Sequence, residues 1–173
     1  MRARWMWIPL LPALAACHQY PPGVCRAGDA APVEVRLAFD DRSNAPVALP
    51  VGQSLAGVLA PPGTLRVDAV AVQIGNDRGA VEGELALKLC QAGRCSEGKA
   101  DVTAVKDNDY LTVMLNPSLP ISYAAGPIHY ELQRISGKNT LTLWAYPSLS
   151  AAAGIEEDGT VGPHTLNFLF RQQ

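Results

Sequence analysis

ELALKLCQAGRC, running from Glu84 to Cys95, carries the reading of the fold. Leu85, Leu87 and Leu89 fall on one side of an extended chain, with Glu84 and Lys88 on the other. That two-residue period marks a strand with one wet face. Cys90 and Cys95 then flank a four-residue turn that contains Gly93. Cross-strand cysteines closing so tight a hairpin can meet disulfide geometry, so a Cys90–Cys95 bridge is expected. A metal site built on the same spacing needs further ligands, and His18, His129 and His164 are all remote in sequence.

The same period recurs on both sides of this hairpin. Val33, Val35, Leu37 and Phe39 alternate with Glu34 and Arg36, and Ile128, Tyr130 and Leu132 alternate with His129, Glu131 and Gln133. Leu111, Val113 and Leu115 define another buried face, as do Leu166, Phe168 and Phe170 near the end. Gly52 to Leu59 and Ala100 to Val105 are shorter strand candidates. Leu65 to Ile74 is more continuously apolar and reads as a central strand. Its apolar parity shifts between Val67 and Val70, which predicts a bulge. Asn44 to Pro50 and Ser148 to Glu157 read as loops, and Asn116 to Pro120 breaks the pattern. Eight or nine short strands with no long helix-period stretch predict an all-β fold. The expected architecture is a single β-sandwich over residues 33–173, with jelly-roll-like connections.

Composition bounds the function. The chain has 173 residues, 48% hydrophobic and 17% charged, with 15 Gly, 14 Pro and a formal net charge of −2. That is one domain's worth of chain. Its few charges carry no basic excess, so no nucleic-acid partner is expected.

The N-terminus is a targeting segment. Arg2 and Arg4 precede an apolar run from Trp5 to Leu14, too short to cross a bilayer and interrupted by Pro9 and Pro12. The run ends in Leu14-Ala15-Ala16-Cys17, which resembles the lipobox of bacterial lipoproteins. The resemblance implies cleavage before Cys17 and acylation of that residue. Residues 1–16 are then a signal peptide, and 17–32, with Pro21, Pro22, Gly23 and Gly28, are a lipidated tether. Removing 16 residues from 173 leaves 157, with 12 basic and 16 acidic side chains, a net charge of −4. Residue 18 is His rather than the Asp of the inner-membrane retention rule, so the resemblance implies a periplasmic, outer-membrane lipoprotein of the bacterial envelope. An oxidising compartment of this kind permits the Cys90–Cys95 bond, leaving Cys25 as a free thiol or a competing partner.

A second resemblance covers Val51 to Pro147, about 97 residues. It is carried by Gly52-Gln53-Ser54, the apolar strand ending at Ile74 to Arg78, Leu85 to Leu89, Asp107-Asn108-Asp109-Tyr110 and Leu141 to Trp144 before Tyr146-Pro147. This layout resembles a β-sandwich module attached to bacterial envelope-polysaccharide proteins, including membrane glycosyltransferases. It implies a jelly-roll similar to carbohydrate-binding modules. The Cys90–Cys95 hairpin and the lipid anchor depart from that layout, so glycosyltransferase activity does not carry over.

The chain holds no Gly-x-Ser-x-Gly elbow, no His-Glu-x-x-His and no phosphate-cradling Gly loop. No catalytic residues, cofactor or metal are therefore expected. Asp40-Asp41 and Glu156-Glu157-Asp158 read as solvated loop acids. Asp107 and Asp109 read as turn residues rather than Ca²⁺ ligands. The positive candidates are aromatic. Trp144 and Tyr146 share a strand face about 6.7 Å apart, and Tyr110 lies on the polar parity of its own strand. Flat rings so placed can stack on sugars, with Asn76, Asp77 and Arg78 adding hydrogen bonds. Aromatic rings are buried more often than not, which favours a core position for these two beneath the segment 148–163. Two functions follow: a non-enzymatic lipoprotein that handles an envelope polysaccharide, or a structural lipoprotein that docks another envelope protein.

Overall fold

Alternating leucines and a left-handed turn build the central hairpin. A computed structural model describes residues 33–76 and 80–172. The expected signal segment 1–16, Cys17, the expected tether 17–32 with Cys25, and Asp77 and Arg78 lie outside the described residues. The hairpin strands are β5 (Glu84–Gln91) and β6 (Arg94–Asp101). Gln91 pairs with Arg94, so the connection is two residues rather than four. Ala92 (φ 49°) and Gly93 (φ 76°) both occupy the left-handed region, as a primed two-residue turn requires. Cys90 therefore faces Cys95 directly, and the two are joined with an S–S distance of 2.07 Å. By loop-closure entropy, a bridge enclosing so short a loop contributes about 2 kcal/mol. Urea unfolding of a Cys90→Ser/Cys95→Ser variant should show a loss of that size. An unchanged midpoint would mean that the turn alone holds the hairpin.

The remaining strands are β1 (Val33–Arg36), β2 (Ala45–Leu49), β3 (Ser54–Leu59), β4 (Leu65–Gly75), β7 (Tyr110–Ile121), β8 (Ile128–Arg134), β9 (Leu141–Pro147), β10 (Gly154–Glu157), β11 (Thr160–Val161), β12 (His164–Leu166) and β13 (Phe168–Gln172). A 3-10 turn spans Tyr123–Ala125. The fold is all-β. Its antiparallel sheet runs β1-β13-β4-β7-β6-β5-β8-β3-β10-β11 and curls into a sandwich-like structure. β9 lies off this path and pairs with β2, β12 and the end of β4.

The curl brings two inner faces together. Val70, Val72, Ile74, Leu111, Val113, Leu141, Leu143, Phe168 and Phe170 form one of them. Leu85, Leu87, Leu89, Ile128, Tyr130 and Leu132 form the other. Tyr130 and Phe168 meet edge to face across the interior, their ring centroids 5.0 Å apart. Side chains of opposite parity on the same strands face outward, so each half of the sandwich presents one outer face.

The expected bulge in β4 is present as a register shift between Val67 and Ala69. Three readings are corrected. Residues 44–50 are not all loop, because β2 forms there. Its Pro46 is tolerated because β2 has β9 as its one partner and so leaves an edge without a ladder. The break at Asn116–Pro120 is a partner change within β7. Met114 pairs with Ala69 and Leu119 with Val67, while Asn116 between them reaches Glu97 of β6. The segment 148–163 holds β10 and β11, docked on β3.

Candidate functional site

The outer face of the β13-β4-β7 half, extended by β9, gathers the aromatic candidates. Trp144 and Tyr146 project from β9, Gln73 from β4 and Tyr110 from β7. Asn167 sits where the chain passes from β12 to β13. The Tyr146 hydroxyl donates to Gln73 Oε1 at 2.7 Å. Asn167 Nδ2 donates to Gln73 Oε1 at 2.9 Å and to the Tyr110 hydroxyl at 2.6 Å. Tyr146 is 7% exposed, and its ring packs on Phe39 with centroids 4.4 Å apart. Phe39 is thus one of the groups that cover it. The Arg36 guanidinium lies 6.0 Å from the Tyr110 ring centroid. Trp144 is half-buried beside Gly75, where a Cβ would come within 3.2 Å of the indole nitrogen. The polar tips of Tyr146 and Tyr110 are spent inside this network, and the indole N–H is buried without a partner. What the strip offers to solvent is the ring surface of Trp144 and Tyr110.

Asn76 belongs to the scaffold. It is fully buried. Its side-chain amide donates to the carbonyls of Val102 and Val105 and accepts from the Val81 N–H. Its own N–H donates to Asp107 Oδ1 at 2.8 Å. These bonds tie the turn after β4 to the segment between β6 and β7, and with both amide N–H groups used and the side chain fully buried, Asn76 is out of a ligand's reach. Asp107 and Asp109 act as turn residues here, Asp109 Oδ1 accepting from the Tyr110 N–H. The Asp40 carboxylate is held at about 2 by its hydrogen bonds from Arg42. Burial raises the Tyr130 hydroxyl well above its ordinary value, so it stays protonated near neutrality. Among the described residues no cluster of three or more His, Cys, Asp or Glu could hold a metal ion.

The opposite outer face carries an open groove of about 530 Å³ across β6, β5 and β8. In register, Lys88 of β5 lies between Glu131 of β8 and Glu97 of β6. The adjacent row is Gln133, Ala86 and Lys99, and Asn116 of β7 also lines the groove. The small Ala86 keeps the floor low between long neighbours. Among the described residues, none of the six polar side chains is hydrogen-bonded or ion-paired to another residue. Two ammonium groups, two carboxylates and two amides thus face solvent on a hydrogen-bonded sheet, with no net charge. No family model matches the chain, and no curated protein or solved structure matches it.

The groove was not legible in the sequence. Each of its charged residues reads locally as the wet side of a strand, and only the register of β6, β5 and β8 collects them. The one available signal was the outward parity of Lys88, Glu131 and Gln133, without the pairing that joins them.

Proposed function

We propose that this chain is a non-enzymatic, lipid-anchored envelope protein whose β-sandwich binds an envelope polysaccharide in the groove across β6, β5 and β8. The observation that carries the reading is the set of six polar side chains there with no partner among the described residues. Hydroxyl groups both donate and accept, so a sugar chain can satisfy ammonium, carboxylate and amide groups together. The strand ladders fix where these side chains leave the sheet, so only the side chains themselves are ordered on binding. The balanced charge favours a neutral glycan over a polyanion. The lipobox-like Leu14-Ala15-Ala16-Cys17 supports placement at the outer membrane, and acyl chains there give durable anchoring. The aromatic strip on the other face is a second surface for the same ligand class.

The test is a glycan array on the mature chain, followed by calorimetry with the best ligand. Hydrogen bonds to charged groups contribute about 1.5–3 kcal/mol each. Lys88→Ala/Glu131→Ala should therefore weaken binding at least about tenfold, with the fold unchanged because both side chains are exposed. Loss on Trp144→Ala instead would move the site to the strip. A folded protein that retains no glycan would overturn the reading in favour of docking to another envelope protein.

A further inference from the structure

We propose that the apolar rim around Tyr123 and Leu149 seats against the bilayer that holds the chain's own anchor; this rests on the lipoprotein reading. The rim surrounds a pocket of about 380 Å³. Five separate segments build it: Val35 from β1, Pro61 and Pro62 from the turn after β3, Tyr123 from the 3-10 turn after β7, Leu149 from the loop after β9, and Thr165 from β12. Tyr123 is 68% exposed and Leu149 66%. Val33, two residues before Val35 on the same strand, is 50% exposed. The Tyr123 hydroxyl donates to the Pro62 carbonyl at 3.1 Å, which holds the ring against the proline turn.

Chemistry and connectivity both select a bilayer. Large apolar side chains clustered in the open mark an interaction surface. Tyrosine, with an apolar body and a polar tip, suits the boundary between headgroups and acyl chains. No carboxylate lines the pocket, and its one charged residue, Arg36, turns its guanidinium toward the Tyr110 ring. The strand that walls the pocket is also the first after the tether. The 16 residues from Cys17 to Pro32 span at most about 55 Å when fully extended. A bilayer held that near is present at a high effective concentration, so a contact too weak to recruit a free partner still forms.

The experiment uses the acylated mature protein in phosphatidylcholine vesicles, neutral because the mature chain carries −4. Cys25→Ser removes the remaining thiol, and nitroxide labels are placed by Tyr123→Cys, Leu149→Cys or, as control, Lys99→Cys on the groove. The labels at 123 and 149 should show a ratio of oxygen to nickel-chelate collisions several-fold above the label at 99. Labels at 123 and 149 as water-accessible as the control, on a chain whose mass shows acylation, would overturn the proposal and spare the lipoprotein reading. Labels shielded from both oxygen and nickel would assign the rim to a protein partner or a second copy, and also overturn it. A chain whose mass shows no acyl group would overturn the lipoprotein reading itself, and this inference with it.

Discussion

Phe168→Ala is expected to lower the unfolding free energy by about 3–5 kcal/mol. Phe168 is fully buried on β13 and touches Tyr130 of β8 edge to face at 5.0 Å. It thus joins the two halves of the sandwich. Removing the ring loses its transfer free energy and leaves a cavity between strands that cannot collapse. Their spacing is set by ladders on both sides, β13 pairing with β1 and with β4. The Tyr130 ring would lose its edge-to-face partner and be left beside the void. For a domain of this size such a loss lowers the melting temperature by about 10 °C. Urea unfolding with an unchanged slope would measure it. A loss below about 1 kcal/mol would show that the two halves do not depend on this contact.

Gly98→Ala should cost about 3 kcal/mol. Gly98 lies opposite Leu87 on β6, where β7 crosses closely. A Cβ there would overlap the Met114 carbonyl oxygen and come within 2.9 Å of Val113 Cγ1. The obstacle is backbone, so no rotamer change relieves it, and β6 or β7 must shift. The control is Gly63→Ala, where nothing lies within 4 Å of the added carbon and the backbone is ordinary. That variant should unfold with the parent. If the two alanine variants unfold alike, the close crossing of β6 and β7 is wrong. Gly98 also lines the groove, so a shift of β6 would carry Glu97 and Lys99 with it. Glycan affinity measured on the folded fraction of Gly98→Ala reports how rigidly those side chains are held.

Local chemistry explains which elements were readable. The leucines of β5, the alternation of β8 and the parity shift of β4 are properties of neighbouring residues. Burying one face of a strand imposes a period of two wherever the strand lies. The cysteine pair was readable because six residues contain both partners and the turn. Elements with prolines were misread for an equally local reason. Pro46 and Pro117 remove a backbone donor, which argues against a strand until the unpaired side is known to be an edge or a change of partner. Asn76 was misread because a polar turn reads as surface. It is buried because the segment from Val102 to Asp107 folds over it and supplies the carbonyls and the carboxylate that satisfy it.

The alternation, the turn residues and the cysteine spacing settle that this chain is all-β and where its central hairpin closes, because those signals are complete within a few residues. Tertiary structure alone decides which wet faces become sites. Lys88, Glu97 and Glu131 become one groove only through the pairing of three strands. Trp144, Tyr146 and Tyr110 become one strip only because Gln73 and Asn167 bridge β4, β7 and β9. Tyr123 and Leu149 share a rim only because two loops end beside β1. The physical reason is the same each time. Hydrophobic burial constrains the inward side of a strand by composition, whereas the outward side is free to vary until register gives it neighbours.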